Sequence, residues 1–179
     1  MEEEKKEDEA VVDALEFAPE VDILPTFTVE WQEATAGIKK WNEKKDKLEE
    51  IVAACKNKKV KPGHFDNLSN FLKKEIAATN INTSLAAIDA GTAIGEGMRQ
   101  PFGPQIKILL PAVLKKFKEK RGVVQISCNN FCDVAIKCSD LAELGPEYIP
   151  SITDVAPGVK TGTLKFIEKA AIITYIDKL

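Results

Sequence analysis

The four cysteines, Cys55, Cys128, Cys132 and Cys138, include no paired C-x-x-C spacing, and no apolar leader stretch precedes them. Neither a disulfide framework nor secretion is implied, and a reducing, cytoplasmic setting is expected. The longest uninterrupted apolar run, Ile108 to Leu114, is seven residues and contains a proline. A membrane-crossing helix needs roughly 20, so no membrane partner is expected. Aromatic residues make up only 7% of the chain, and Gly and Pro number 10 and 9. That composition excludes collagen-like and low-complexity classes and leans toward helix rather than an all-β fold. The single histidine, His64, has no G-x-S-x-G, phosphate-loop glycine pattern or carboxylate pair beside it, so no enzyme is indicated. Gly91, Gly95 and Gly97 are too irregular for a dinucleotide fingerprint and read as close-packing positions in a helix. Cys128, Cys132 and Cys138 have no histidine in their own segment to complete a zinc set and read as buried thiols. No metal or other cofactor is expected.

What the chain does have is charge and helical periodicity. With 179 residues, 44% hydrophobic and 30% charged, it is long enough for one compact domain and too short for two ordinary ones. The net charge of -3 is uneven: residues 1–20 hold nine acids against Lys5 and Lys6, which leaves residues 21–179 at +4. An acidic run of this kind buries too little apolar surface to order itself. Residues 1–20 are therefore expected to form a disordered tail and 21–179 the folded domain. The same asymmetry raises the question of whether the tail competes with a partner for basic surface.

A break followed by a helical pattern occurs four times: at Lys39-Lys40-Trp41-Asn42, Thr79-Asn80-Ile81-Asn82, Lys120-Arg121-Gly122-Val123 and Ala156-Pro157-Gly158-Val159-Lys160. Trp41, Ile81, Val123 and Val159 follow one another at intervals of 40, 42 and 36 residues. After each break an apolar stripe recurs at helical spacing: Leu48, Ile51, Val52 and Cys55; Leu85, Ile88, Thr92 and Gly95; Ile126, Phe131, Val134 and Ala135; Leu164, Ile167, Ala171 and Tyr175. Helices also precede the breaks, at Phe65 to Ile76 and Phe102 to Lys118. Two such openings match each other, Phe102-Gly103-Pro104-Gln105 and Leu144-Gly145-Pro146-Glu147, and proline is tolerated in a first helical turn. Pro111 falls deeper inside its helix, where a kink is expected. Short gaps make each pair an antiparallel hairpin whose stripe is buried only by stacking on the next. The expected fold is all-α, an α-solenoid of about four helical hairpins.

Asp154-Val155-Ala156-Pro157-Gly158-Val159-Lys160 resembles the D-x-x-P-x-V-[RK] opening of the second helix in a HEAT repeat. Residues 37–48, with Trp41 in a lysine-rich turn, and residues 98–124, with the Lys118-Glu119-Lys120-Arg121 turn, are similar to the TOG domain, the tubulin-binding HEAT array of microtubule polymerases and rescue factors. The resemblance covers residues 21–179. It implies a flat, paddle-like monomer whose intra-repeat turns line one edge and grip αβ-tubulin at microtubule ends, in the cytoplasm, on the cytoskeleton and at the spindle or its poles. Carried over by position, the tubulin-binding residues are Trp41, Lys40, Asn80, Ile81, Lys120, Arg121 and Lys160. The family's second turn usually opens with an acid where Ala78 and Thr79 stand here. Its usual six hairpins imply a domain cut short at the C-terminal end of this chain.

The bland alternatives differ in weight. A tryptophan is normally a core residue, but Trp41 among Lys39, Lys40, Lys44 and Lys45 has the composition of an interface anchor. Five lysines between Lys39 and Lys47 and five cations between Lys115 and Arg121 fall at one point of the period and predict a positive strip along one edge. Lys56 to Lys61 falls between hairpins, on the opposite edge, and reads as a solvated group. Nucleic acid is not expected, because the domain is only weakly basic and lacks interleaved aromatics for base stacking. The second class of function is a generic HEAT scaffold for some other protein.

Overall fold

The computed structural model describes residues 14–176; the expectation for residues 1–13 therefore lies outside the described residues. The periodic segments form eight α-helices: α1 (Val29–Ala36), α2 (Trp41–Cys55), α3 (Asp66–Ile76), α4 (Ile81–Met98), α5 (Gly103–Lys116), α6 (Gly122–Cys138), α7 (Gly145–Ile152) and α8 (Pro157–Ile176). They pair in chain order as four hairpins, and the pairs stack in two layers. In one layer α1 packs on α3, α3 on α5 and α5 on α7; in the other α2 packs on α4, α4 on α6 and α6 on α8. This is the expected solenoid. Four turns within the pairs (37–40, 77–80, 117–121 and 153–156) form one edge, and the loops between pairs form the other.

Local chemistry sets the helix starts. Thr28 Oγ1 accepts from Trp31 N at 3.3 Å at the start of α1, and Asn80 caps α4. The matched openings at Gly103-Pro104 and Gly145-Pro146 both begin first helices of a pair, with Phe102 and Leu144 fully buried just ahead of them. Pro111 lies inside α5, which runs through it uninterrupted. The core joins Phe27, Phe65, Phe102 and Phe131 to Leu48, Ile51, Leu72, Ile88 and Ile106. Each such side chain contributes about 1.5–3 kcal/mol relative to exposure.

Two expectations need correction. The first is the inward face of α8. Its buried residues are Val159, Gly162, Thr163, Phe166 and Ala170, while Leu164 and Tyr175 are exposed. Small residues seat this helix: a Cβ on Gly162 would overlap the ring of Phe117. Ile126 likewise turns outward from α6, whose buried face runs through Val124, Cys128, Phe131 and Ala135. The second concerns the start of the domain. Glu20–Val21 (β1) pair in parallel with Lys59–Val60 (β2), and Lys59 Nζ donates to Glu16 O at 2.6 Å. Residues 14–20, assigned to the tail by their charge, thus lie against the loop between α2 and α3.

Candidate functional site: the turn edge

The edge is built from four turns, the first three braced by a side chain from a neighbouring helix and the fourth by its own aspartate. In the first, Lys44 Nζ donates to Ala36 O at 3.0 Å, at the end of α1, and lies 3.3 Å from Glu75 Oε2 on α3. This tie fixes the turn that presents Lys40 and then Trp41, the first residue of α2. Trp41 is 47% exposed. Trp31 behaves differently, packing edge-on against Phe27 and Phe71 with ring centroids 4.8 and 5.9 Å apart.

In the second turn Asn80 Oδ1 accepts from Asn82 N at 3.0 Å and Thr83 N at 3.2 Å, so the carbonyl half of its amide is committed to the helix cap. Ile81 follows, half-buried against the core. Ala78 O accepts from Ser84 Oγ at 2.9 Å and from Lys116 Nζ at 3.0 Å. Lys116 is buried, and desolvation, with repulsion from Lys118 next in weight, holds its amine below the usual lysine range. In the third turn Gln125 Nε2 donates to Phe117 O at 3.2 Å and Glu119 O at 2.6 Å, which leaves Lys120 and Arg121 exposed at the corner. In the fourth, Asp154 Oδ1 accepts from Ala156 N at 2.8 Å, Gly158 sits on the backbone of Phe117, and Lys160 projects from the first turn of α8.

The lysine clusters divide into braces, pairs and unpaired cations. Lys44 and Lys116 are structural. Lys40 pairs with Glu43 at 2.9 Å, Lys45 with Glu49 at 2.9 Å and Lys47 with Glu50 at 2.8 Å. The Glu43 partner raises the affinity of Lys40 for its proton. Among the described residues Lys39, Lys115, Lys118, Lys120, Arg121 and Lys160 have no ion-pair partner. The positive strip is therefore narrower than a residue count suggests and strongest at the third and fourth turns.

No protein-family model matches the chain. Curated relatives do. Protein MOR1 of Arabidopsis thaliana is 27% identical over 168 residues, covering 89% of this chain and 8% of that protein. Spindle pole body component alp14 of Schizosaccharomyces pombe is 29% identical over 171 residues, covering 95% of this chain and 21% of that protein. The chain thus spans a small part of these relatives. Among solved structures, one described as the structural basis of microtubule plus end tracking by XMAP215, CLIP-170 and EB1 superposes with a TM-score of 0.73 at 25% identity, covering 85% of this chain and 63% of that one. Another, on tubulin recruitment and assembly by microtubule polymerases with TOG domain arrays, gives 0.75 at 22% identity, covering 88% of this chain and 33% of that one. The fold is that of a TOG domain.

All seven sequence-predicted residues lie on the turn edge of this helical array, at or just beyond its four corners. Three other features escaped sequence reading. Val155 is 96% exposed at the tip of the fourth turn, and Val123 is exposed beside Arg121. A cavity of about 500 Å³ lies between the third and fourth turns, lined by Phe117, Ala156 and Pro157 together with Lys118, Lys120 and Lys165. Val155 stands immediately after the aspartate of the HEAT-like opening, a position whose exposure the motif itself indicates.

Proposed function

We propose that this TOG-type array binds the αβ-tubulin heterodimer through its turn edge and so regulates microtubule assembly. Trp41 is the apolar anchor, Ile81 adds a smaller apolar contact, and Asn80 offers the amide nitrogen that its cap leaves over. Lys120, Arg121 and Lys160 orient an acidic partner, with Lys40 contributing less because Glu43 shares its charge. The carrying observation is a half-exposed tryptophan on a braced corner, on the same edge as unpaired cations at the first, third and fourth turns. The work is binding without covalent chemistry, by a monomer in the cytoplasm at microtubules, spindles or spindle poles. Relatives named for spindle pole bodies and mini spindles support that setting.

A generic protein scaffold is the competing class. Size-exclusion chromatography with purified tubulin separates them. The chain is expected to comigrate with the dimer, and the combined Trp41→Ala and Lys120→Ala variant is expected to elute apart. Failure of the unsubstituted chain to comigrate would overturn the assignment.

A further inference from the structure

The opposite edge also holds a site, independent of the tubulin reading. The loop after α2, the end of α4 and the last turn of α6 enclose a cavity of about 670 Å³. Lys56, Lys58, Arg99 and Lys137 line it, with Glu96 the one acid among its lining residues. Asn57 takes φ 56° between the two lysines, in the left-handed region that non-glycine residues seldom enter. Ala14 and Leu15 form part of the wall. The strap behind them is held by Lys59 N to Pro19 O and Lys61 N to Val21 O, both 2.9 Å, and by Lys59 Nζ to Glu16 O. Residues 1–13, which precede Ala14 in sequence, carry Glu2, Glu3, Glu4, Glu7, Asp8, Glu9 and Asp13 against Lys5 and Lys6.

We propose that the acidic run 1–13 docks in this basic cavity on the edge away from the turns. Reach alone does not decide where the run goes, since 13 extended residues span at most about 45 Å. Screening does. The turn edge is a helix length away, about 25 Å at 1.5 Å per residue, whereas charges interact over about 8–10 Å at physiological salt. The run meets the cations of this cavity within its first residues and the turn-edge cations only beyond two such lengths. The strap therefore keeps the negative run away from Lys120, Arg121 and Lys160 instead of letting it compete for them.

Backbone amide spectra of the full chain and of a chain lacking residues 1–13 test this, at low and high salt. The deletion keeps β1, β2 and the bonds from Lys59 and Lys61 that hold the strap. At low salt it is expected to shift the amides of 56–58, 96–99 and 137 and leave those of 40–41, 120–121 and 160 unmoved, with the difference vanishing at high salt. In a Lys56→Glu, Lys58→Glu, Lys137→Glu background the same deletion should shift none of them. Shifts at the turn edge instead, no shift at low salt, or shifts that grow with protein concentration would each overturn the proposal.

Discussion

At the residue scale, the chain's two tryptophans separate by their neighbours. Trp31 has two phenylalanine rings to pack on, whereas Trp41 opens a helix among lysines and stays half-exposed. Truncating an interface anchor, the role proposed for Trp41, costs about 2 kcal/mol or more of binding. Trp41→Ala is expected to weaken tubulin binding about 30-fold on that basis, with the thermal midpoint nearly unchanged, as read by titration and by melting. Lys120→Ala should weaken binding more than Lys40→Ala, because Glu43 already occupies the Lys40 ammonium. The thiols give a prediction about stability. Burial pushes Cys55, Cys128 and Cys138 up to about 12 and Cys132 higher still. An unfolded thiol titrates near ~8.5, so the folded chain holds protons that the unfolded one releases. Their contribution is complete below about pH 8.5 and is lost as pH rises from there toward about 12. Lys116 acts in the opposite sense, one amine against four thiols. The urea midpoint should fall across that alkaline range, and less steeply in Cys128→Ala.

At the scale of elements, the pairing of the helices and every helix but α1 were legible in the sequence, because four stripes at one period admit little else. The inward face of α8 was not. A reading that follows the largest apolar residues selects Leu164, Ile167, Ala171 and Tyr175, yet close approach to Phe117 requires the smallest ones. Gly158 and Gly162 lie against that residue's backbone and ring. Gly162→Ala should therefore destabilise the fold by about 1–3 kcal/mol, the usual range for overpacking. Gly122→Ala, with nothing within 4 Å of its added methyl, should leave it unchanged or slightly raised. Equilibrium urea denaturation of both variants checks the pair, and equal losses would show that the seat of α8 is not where the strain falls. The β1–β2 contact was equally hidden. A two-residue bridge leaves no periodic signal, and the acids around it pointed to a tail.

At the scale of the molecule, position along the repeat correctly grouped the turns on one edge, but residue counting overstated their charge. Opposite charges on α2 and α3 neutralise Lys40, Lys44, Lys45 and Lys47, and burial removes Lys116 from the surface. These partners lie three or four residues away on the same helix, or on the next hairpin, so the contacts exist only once the helices form and stack. Lys39 at the first corner, Lys118, Lys120 and Arg121 at the third and Lys160 at the fourth carry what remains, weighted toward the third and fourth corners, with Trp41 at the far end of the edge. Unpaired exposed charges act chiefly through steering, which salt screens. Association with tubulin should thus slow as salt rises, while Trp41 dominates dissociation. Replacing Lys120, Arg121 and Lys160 together with alanine should flatten the salt dependence of the association rate. Replacing Lys45 and Lys47, which are already paired, should leave the slope as it was. Stopped-flow rates over a range of salt distinguish the two sets. A slope equally sensitive to both would mean that the paired lysines are part of the surface a partner meets, and that the strip is continuous after all.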